Sequence, residues 1–157
     1  QAMRVYSRLG RWTGADVITP GGWPGNDTLW RTTLDLNHLL YRWPGGPRVL
    51  NLVDGLVAGE GVGPLRATPR PAGVLVLGEN PATIDAALAA MMGYDWTQIP
   101  TVRQALGHPR SAFATAADHL PLHYLADGAR EPNAVRLADL PNFHFRKPDL
   151  WGGMERE

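Results

Sequence analysis

Two polar segments of this chain hold the residue types best suited to chemistry. The first, Gly21 to Asn37, reads GGWPGNDTLWRTTLDLN. A glycine-rich turn leads into Asn26, Asp27 and Thr28 at a helix start, and Arg31 and Asp35 follow on the same helix. The first N–H groups of a helix lack partners and carry partial positive charge. Arg31 adds full charge in the same neighbourhood, which suits an anion or an oriented carboxylate. Asp35 can orient Arg31. With His38 and Arg42 it equally forms a solvated ion-pair face worth about 0.2–0.5 kcal/mol per pair. Trp23 and Trp30 could stack on a sugar or a base, or simply be core.

The second segment, Val53 to Pro64, reads VDGLVAGEGVGP. Asp54 lies just beyond the apolar run Arg48 to Val53, and ligands of open α/β sheets bind outside the carboxyl ends of strands. Asp54 and Glu60 could bind a cation or move a proton, and with no thiolates available Mg²⁺ fits such carboxylates better than zinc. The alternative is a turn in which Asp54 caps backbone amides and glycines supply positive φ. Gly59, Gly61 and Gly63 do not make a dinucleotide fingerprint, because Pro64 and an Arg/Pro-rich stretch follow where a helix would be needed. Asp85, off the Ile84–Leu88–Met91 stripe of a later helix, is a further ligand-side candidate or an exposed polar residue. If the segments form one site, Asn26, Arg31 and Asp54 line a common cleft. Glu60 then sits on a mobile rim, with Asp85 supporting from behind, and Gly61 and Gly63 are further ligand-binding candidates.

These groups need elements to hold them. Leu29, Leu36, Leu40 and Trp43 recur at helical spacing beside Trp30, Leu34 and Tyr41, with Asp27 or Thr28 as cap and WPGGP as stop. RVLNLV, Arg48 to Val53, reads as a strand, Asp54 to Ala72 as a loop, and GVLVLG, Gly73 to Gly78, as a strand covered on both faces. Asn80 caps and Pro81 opens PATIDAALAAMMG, which Gly93 ends. Short strands at Arg4 to Leu9 and Asp16 to Thr19, a helix at Thr101 to Leu106, an edge strand at Asn133 to Leu137 and an extended stretch from Pro141 complete the reading. Strands alternating with helices give an α/β class, with a small mixed or parallel sheet and helices packed on it.

Composition narrows the function classes. A chain of 157 residues with 44% hydrophobic content fits a single α/β domain with a real core. The net charge is zero and no basic field is present, which argues against a dedicated nucleic-acid binder. No apolar run approaches the ~18 residues of a membrane span, and the first residues lack a signal-peptide core, so a cytoplasmic location is expected. Zero cysteines exclude a disulfide, a thiolate nucleophile and an iron–sulfur cluster within the chain. Lys147 is the single lysine against fourteen arginines, which leaves Schiff-base chemistry almost without candidates. Ser7 and Ser111 are the only serines and neither sits in a nucleophile elbow. His119 and His123 have metal-pair spacing, but Pro121 interrupts any regular helix between them.

GGWPGNDTLWRTTLDLN, LVDGLVAGEGVGP and GVLVLGENPATIDAALAAMMGYD together resemble the uncharacterised family catalogued as domain of unknown function 362. Its members often carry ferredoxin-type iron–sulfur modules. The resemblance spans Gly21 to Ala105, and the closing FRKPDLWGG is similar to the family's C-terminal end. It implies the C-terminal part of a longer architecture, with any cluster on another segment. It also marks Asn26, Asp27, Arg31, Asp35, Asp54, Gly55, Glu60, Gly63, Pro64 and Asp85 as site positions without roles. The function expected is a small-molecule or anion site, catalytic in the complete protein through Asp54 and Glu60. Self-association or an N-terminal companion domain would cover its open apolar face. The alternative is a non-catalytic domain that binds a glycan or a protein.

Overall fold

Local signals at both ends of the alanine-rich segment make the best-determined helix of the molecule. In the computed structural model, which describes residues 28–62, 66–116 and 120–147, the element order is α1 (Leu29–Arg42), β1 (Asn51–Val62), β2 (Arg66–Gly78), α2 (Pro81–Met92), α3 (Pro100–Gly107), β3 (Leu122–Tyr124) and β4 (Asn133–Val135). Short 3₁₀ turns lie at Trp96–Gln98 and Leu137–Asp139. Asn80 Oδ1 accepts from the N–H groups of Ala82 (3.0 Å) and Thr83 (3.2 Å), and Pro81 occupies the first turn. At the other end Gly93 is left-handed, at φ 88°. Its N–H donates to Ala90 O while Tyr94 N–H donates to Ala89 O, a Schellman closure. The strands expected before Gly21, together with Trp23, Asn26, Asp27, Gly63, Pro64, Asp118 and His119, lie outside the described residues.

The class is mixed α/β, as the sequence implies, and both sheets are two-stranded and antiparallel. β1 and β2 form one long hairpin that takes in most of the segment read as a loop from Asp54 to Ala72. Pairing between the strands overrides the local turn signals here. Pro69 and Pro71 are tolerated because β2 is an edge strand, whose outer side needs no ladder donor. Its register slips between Gly55 and Val57: these pair with Val74 and Pro71, so two steps on β1 match three on β2. Gly73, at φ 68°, absorbs the extra residue.

The hairpin lays Val53, Gly55, Val74 and Val76 on its covered face. GVLVLG is not covered on both faces, since Leu75 and Leu77 are 64% and 62% exposed. The α1 stripe also turns outward. Leu29, Leu36, Leu40 and Trp43 are exposed, while Leu34 and Tyr41 pack against the core. Hydrogen bonds choose that face: Tyr41 Oη donates to Asn51 Oδ1 (3.1 Å), and Ala112 N–H donates to His38 Nε2 (3.2 Å). The core itself joins Ala82, Ala86, Val102, Ala105, Leu106, Phe113 and Leu120. A second cluster of Ala89, Tyr94 and Phe145 lies under the hairpin's Ala58 and Ala72. No helix among the described residues is long and apolar enough to cross a membrane.

The close of α2 gives a direct test. A Cβ at Gly93 would lie 2.9 Å from Asn142 Oδ1, in a backbone conformation that costs an L-residue about 1–2 kcal/mol. Gly93→Ala should therefore lower unfolding free energy by about 1–2 kcal/mol or more in urea titration, without changing helix content.

Candidate functional site

The register slip in the hairpin decides the fate of the two carboxylates expected to act together. On the base side of the slip, outward residues are Leu52, Asp54 and Leu56; on the tip side, inward residues are Ala58 and Glu60. Asp54 and Glu60 therefore occupy opposite faces of one strand. Six residues separate them, about 20 Å at the rise of an extended chain. They cannot share one Mg²⁺ or one substrate atom. Among the described residues no group of three or more His, Cys, Asp or Glu side chains could hold a metal.

Each carboxylate has a local task. Asp54 Oδ1 accepts the Leu56 N–H at 3.0 Å, beside the register slip, so its side chain caps the irregularity. This is the turn-capping alternative of the sequence reading. Glu60 is 13% exposed at its side chain. Its Oε2 accepts the Arg146 N–H at 3.0 Å and lies 4.0 Å from Arg70 Nη1. The neighbouring Gly61 donates its N–H to Arg146 O at 2.8 Å. Arg146 Nη2 reaches Thr68 Oγ1 (2.6 Å) and Arg70 Nη2 reaches Phe143 O (2.6 Å). Phe143 and Phe145 in turn donate their N–H groups to Met91 O and Met92 O at the end of α2. Glu60 and Gly61 thus strap residues 142–146 between the hairpin and the helix. Burial, and after it the Glu60 charge, pushes the Tyr94 hydroxyl above its ordinary range.

The helix-start residues lie elsewhere. Thr28 stands at the N-cap with helical backbone and makes no side-chain cap bond; its carbonyl accepts from Thr32 N–H at 3.0 Å. The Arg31 guanidinium lies 5.0 Å from the centre of the Trp30 ring, and both Arg31 and Asp35 are exposed. Arg31 and Asp54 line neither of the two main cavities among the described residues. Of the expected cleft of Asn26, Arg31 and Asp54, Asn26 lies outside the described residues, and Arg31 and Asp54 are both exposed.

Sequence reading also missed a pair. His38 Nε2 lies 3.5 Å from Ser111 Oγ, and the His38 ring stacks on Phe113 at 5.7 Å. The resemblance to a nucleophile and base is superficial. Nε2 accepts the Ala112 N–H, so its lone pair is committed to holding the 111–113 turn against α1. Nothing local signals that contact, because 73 residues separate the partners.

Asp85 is the site residue that the fold does place in a cleft. A cavity of about 40 Å³ opens between α1, α2 and α3, lined by Thr33, Asn37, Asp85 and Thr101 with Leu34 and Phe113 among its apolar walls. Neither Asp54 nor Glu60 lines this cleft. Asp85 is exposed at the mouth of the cleft, yet partial burial of its carboxyl pushes the pKa up. Among the described residues the carboxylate has no hydrogen bond or ion pair. A second, shallower hollow of about 400 Å³ runs past Trp96, Leu106, Gly107 and Thr115 and carries no charged group.

Two measurements follow from this geometry. Glu60→Ala should speed hydrogen exchange at the Phe143, Phe145 and Arg146 amides by about tenfold, the loss of one charge-assisted bond worth about 1.4 kcal/mol, while α3 amides stay protected. For Asp85 the folded pKa lies above the unfolded one, so the folded state holds the proton more tightly. Its ionisation costs stability, and that cost is absent at pH below the unfolded pKa and complete above the folded pKa. Asp85→Asn should therefore raise Tm at pH 7, and the gain over wild type should vanish below about pH 3. No family model matches this chain, and no curated protein or solved structure matches it.

Proposed function

We propose that this chain is a non-catalytic interaction domain that buries its outward leucines against a second copy of itself. The observation that carries this reading is an inversion of the usual core. Alanines Ala82, Ala86, Ala87, Ala89, Ala90 and Ala105 are buried, while Leu29, Leu36, Leu39, Leu40, Leu50, Leu52, Leu56, Leu75 and Leu77 are exposed. Scattered exposed apolar residues are ordinary, but contiguous ones mark contact surfaces. Here they fall on two organised faces. On α1, Leu29, Leu36 and Trp43 repeat every seven residues with Leu40 beside them; on the hairpin, Leu52 lies directly across from Leu77.

Magnitudes and charge favour a second copy. A leucine that gains about 2.5 kcal/mol on burial presents roughly 100 Å² of apolar surface. Nine leucines exposed by a little over half give on the order of 500 Å², the apolar content of a standard interface of about 800 Å² per partner. The net charge is zero, so copies meet without long-range repulsion. An apolar face is also self-complementary, as a two-fold interface requires. The catalytic reading through Asp54 and Glu60 lacks this support, because those carboxylates are apart and engaged in the fold.

Sedimentation velocity on the wild-type chain at about 50 μM should show a dimer, in the concentration range of a micromolar interface. The doubly charged variants Leu36→Glu/Leu40→Glu and Leu52→Glu/Leu77→Glu report on the helix face and the hairpin face separately. At least one should run as a monomer with unchanged circular dichroism, since all four sites are exposed. A wild-type chain that remains monomeric up to 200 μM, roughly −5 kcal/mol of association or weaker, would overturn the reading.

A further inference from the structure

We infer that the second copy docks its α1 antiparallel against α1, in the register that sets Asp35 beside the partner's Arg42; this rests on the self-association reading. At 100° per residue, Leu29, Thr32, Leu36, Leu39 and Trp43 fall within an arc of about 80° around the α1 axis. That arc lies opposite Leu34 and Tyr41, which pack on the core, and all five of its residues are exposed. Their spacing alternates three and four, the a and d pattern of a two-helix seam. Thr32 spends its hydroxyl on Thr28 O at 3.2 Å, which leaves its methyl group for the seam. The bonds from Tyr41 to Asn51 and from Ala112 to His38 keep α1 from rolling the seam inward.

Charge fixes the orientation. Leu40 flanks the seam on one side, while Asp35 and Arg42 flank it together on the other, one heptad apart. Both are exposed, and neither makes an ion pair among the described residues. In an antiparallel seam a residues face d residues, so Leu36 meets the partner's Leu39 and the small Thr32 meets the partner's Trp43. The same register brings Asp35 to the partner's Arg42, and two-fold symmetry repeats the pair. A parallel seam instead sets Asp35 against the partner's Leu40 and carries Arg42 level with residue 47, beyond the helix end. Sliding the antiparallel seam by one heptad either way brings Asp35 to its own copy or Arg42 to its own copy. Repulsion therefore excludes the neighbouring registers that the leucines alone would allow.

The test is charge exchange in the whole chain, read by sedimentation velocity at low salt, where exposed charges are least screened. Asp35→Arg alone and Arg42→Asp alone each turn two attractions into two repulsions. Each should raise the dimer Kd about tenfold, with circular dichroism unchanged. An equimolar mixture of the two variants should recover wild-type affinity, because every flanking contact between unlike chains is again of opposite sign. The Asp35→Arg/Arg42→Asp double variant should recover it as well. A wild-type dimer whose Kd ignores both single variants, or a mixture no tighter than its components, would overturn the antiparallel register and leave self-association to the hairpin face. A wild-type chain that stays monomeric would overturn both readings and give the α1 face to another segment or another protein.

Discussion

The described fold depends on how closely other elements can approach α2. Its buried surface is mostly alanine (Ala82, Ala86, Ala87, Ala89 and Ala90, with Thr83, Ile84 and Met91), and the short side chains let α3 and the hairpin close on it. Close approach gains dispersion contacts but little apolar area per residue. Ile84 and Met91 are its own larger anchors, and the others come from outside the helix: Val102 and Leu106 on α3, Phe113 and Leu120 beyond it, and Phe145 on the strap. The strap also uses the end of α2, since Met91 O and Met92 O lie in the last turn, where helix carbonyls lack intrahelical donors. A helix of small residues thus fixes both its own termination and the path of the distant chain that completes its polar groups.

The same economy accounts for the outward leucines. α3, the hairpin and the strap already cover the alanine surface of α2, and α1 packs chiefly against α3. α1 therefore presents Leu34 and Tyr41 inward, together with polar groups that have partners. Asn51 meets Tyr41, and the Ala112 amide meets His38. Turning the helix by about 130° to bury Leu36 and Leu40 would break those bonds and leave their partners unpaired, at about 1–3 kcal/mol each. Polar satisfaction outweighs apolar burial at this contact.

Legibility in the sequence followed the range of the physics. α2 was readable because Asn80, Pro81 and Gly93 act within one turn of themselves, and its observed limits match the expected ones. α3 and β4 were found near their places for similar reasons. The hairpin was hidden because glycines and prolines from Gly59 to Pro71 signal turns locally, while the pairing that overrides them joins residues as distant as Asn51 and Gly78. Apolar periodicity identified α1 but not the face it buries, since that choice rests on partners at Asn51 and Ala112. Asp54 and Glu60 show the sharpest failure. Even spacing on a strand implies a shared face, and a single extra residue on the opposite strand reverses that parity. Asp85 was legible as a polar interruption of an apolar helix, but its cleft needed two other helices to exist.

Asp85 differs in kind from the other acidic residues named here. Asp54 caps a slip in the ladder, Glu60 holds the strap, and Asp95 accepts from Thr97 N–H and Oγ1, bonds that draw its pKa down. Each of those carboxylates accepts a hydrogen bond that the fold supplies. At Asp85 the fold supplies burial and no donor, which raises the pKa and makes the charge a net cost. Asp85 is nonetheless an exposed residue between the buried Ile84 and Ala86, so water supplies hydrogen bonds that the fold does not, and the burial that raises its pKa is partial.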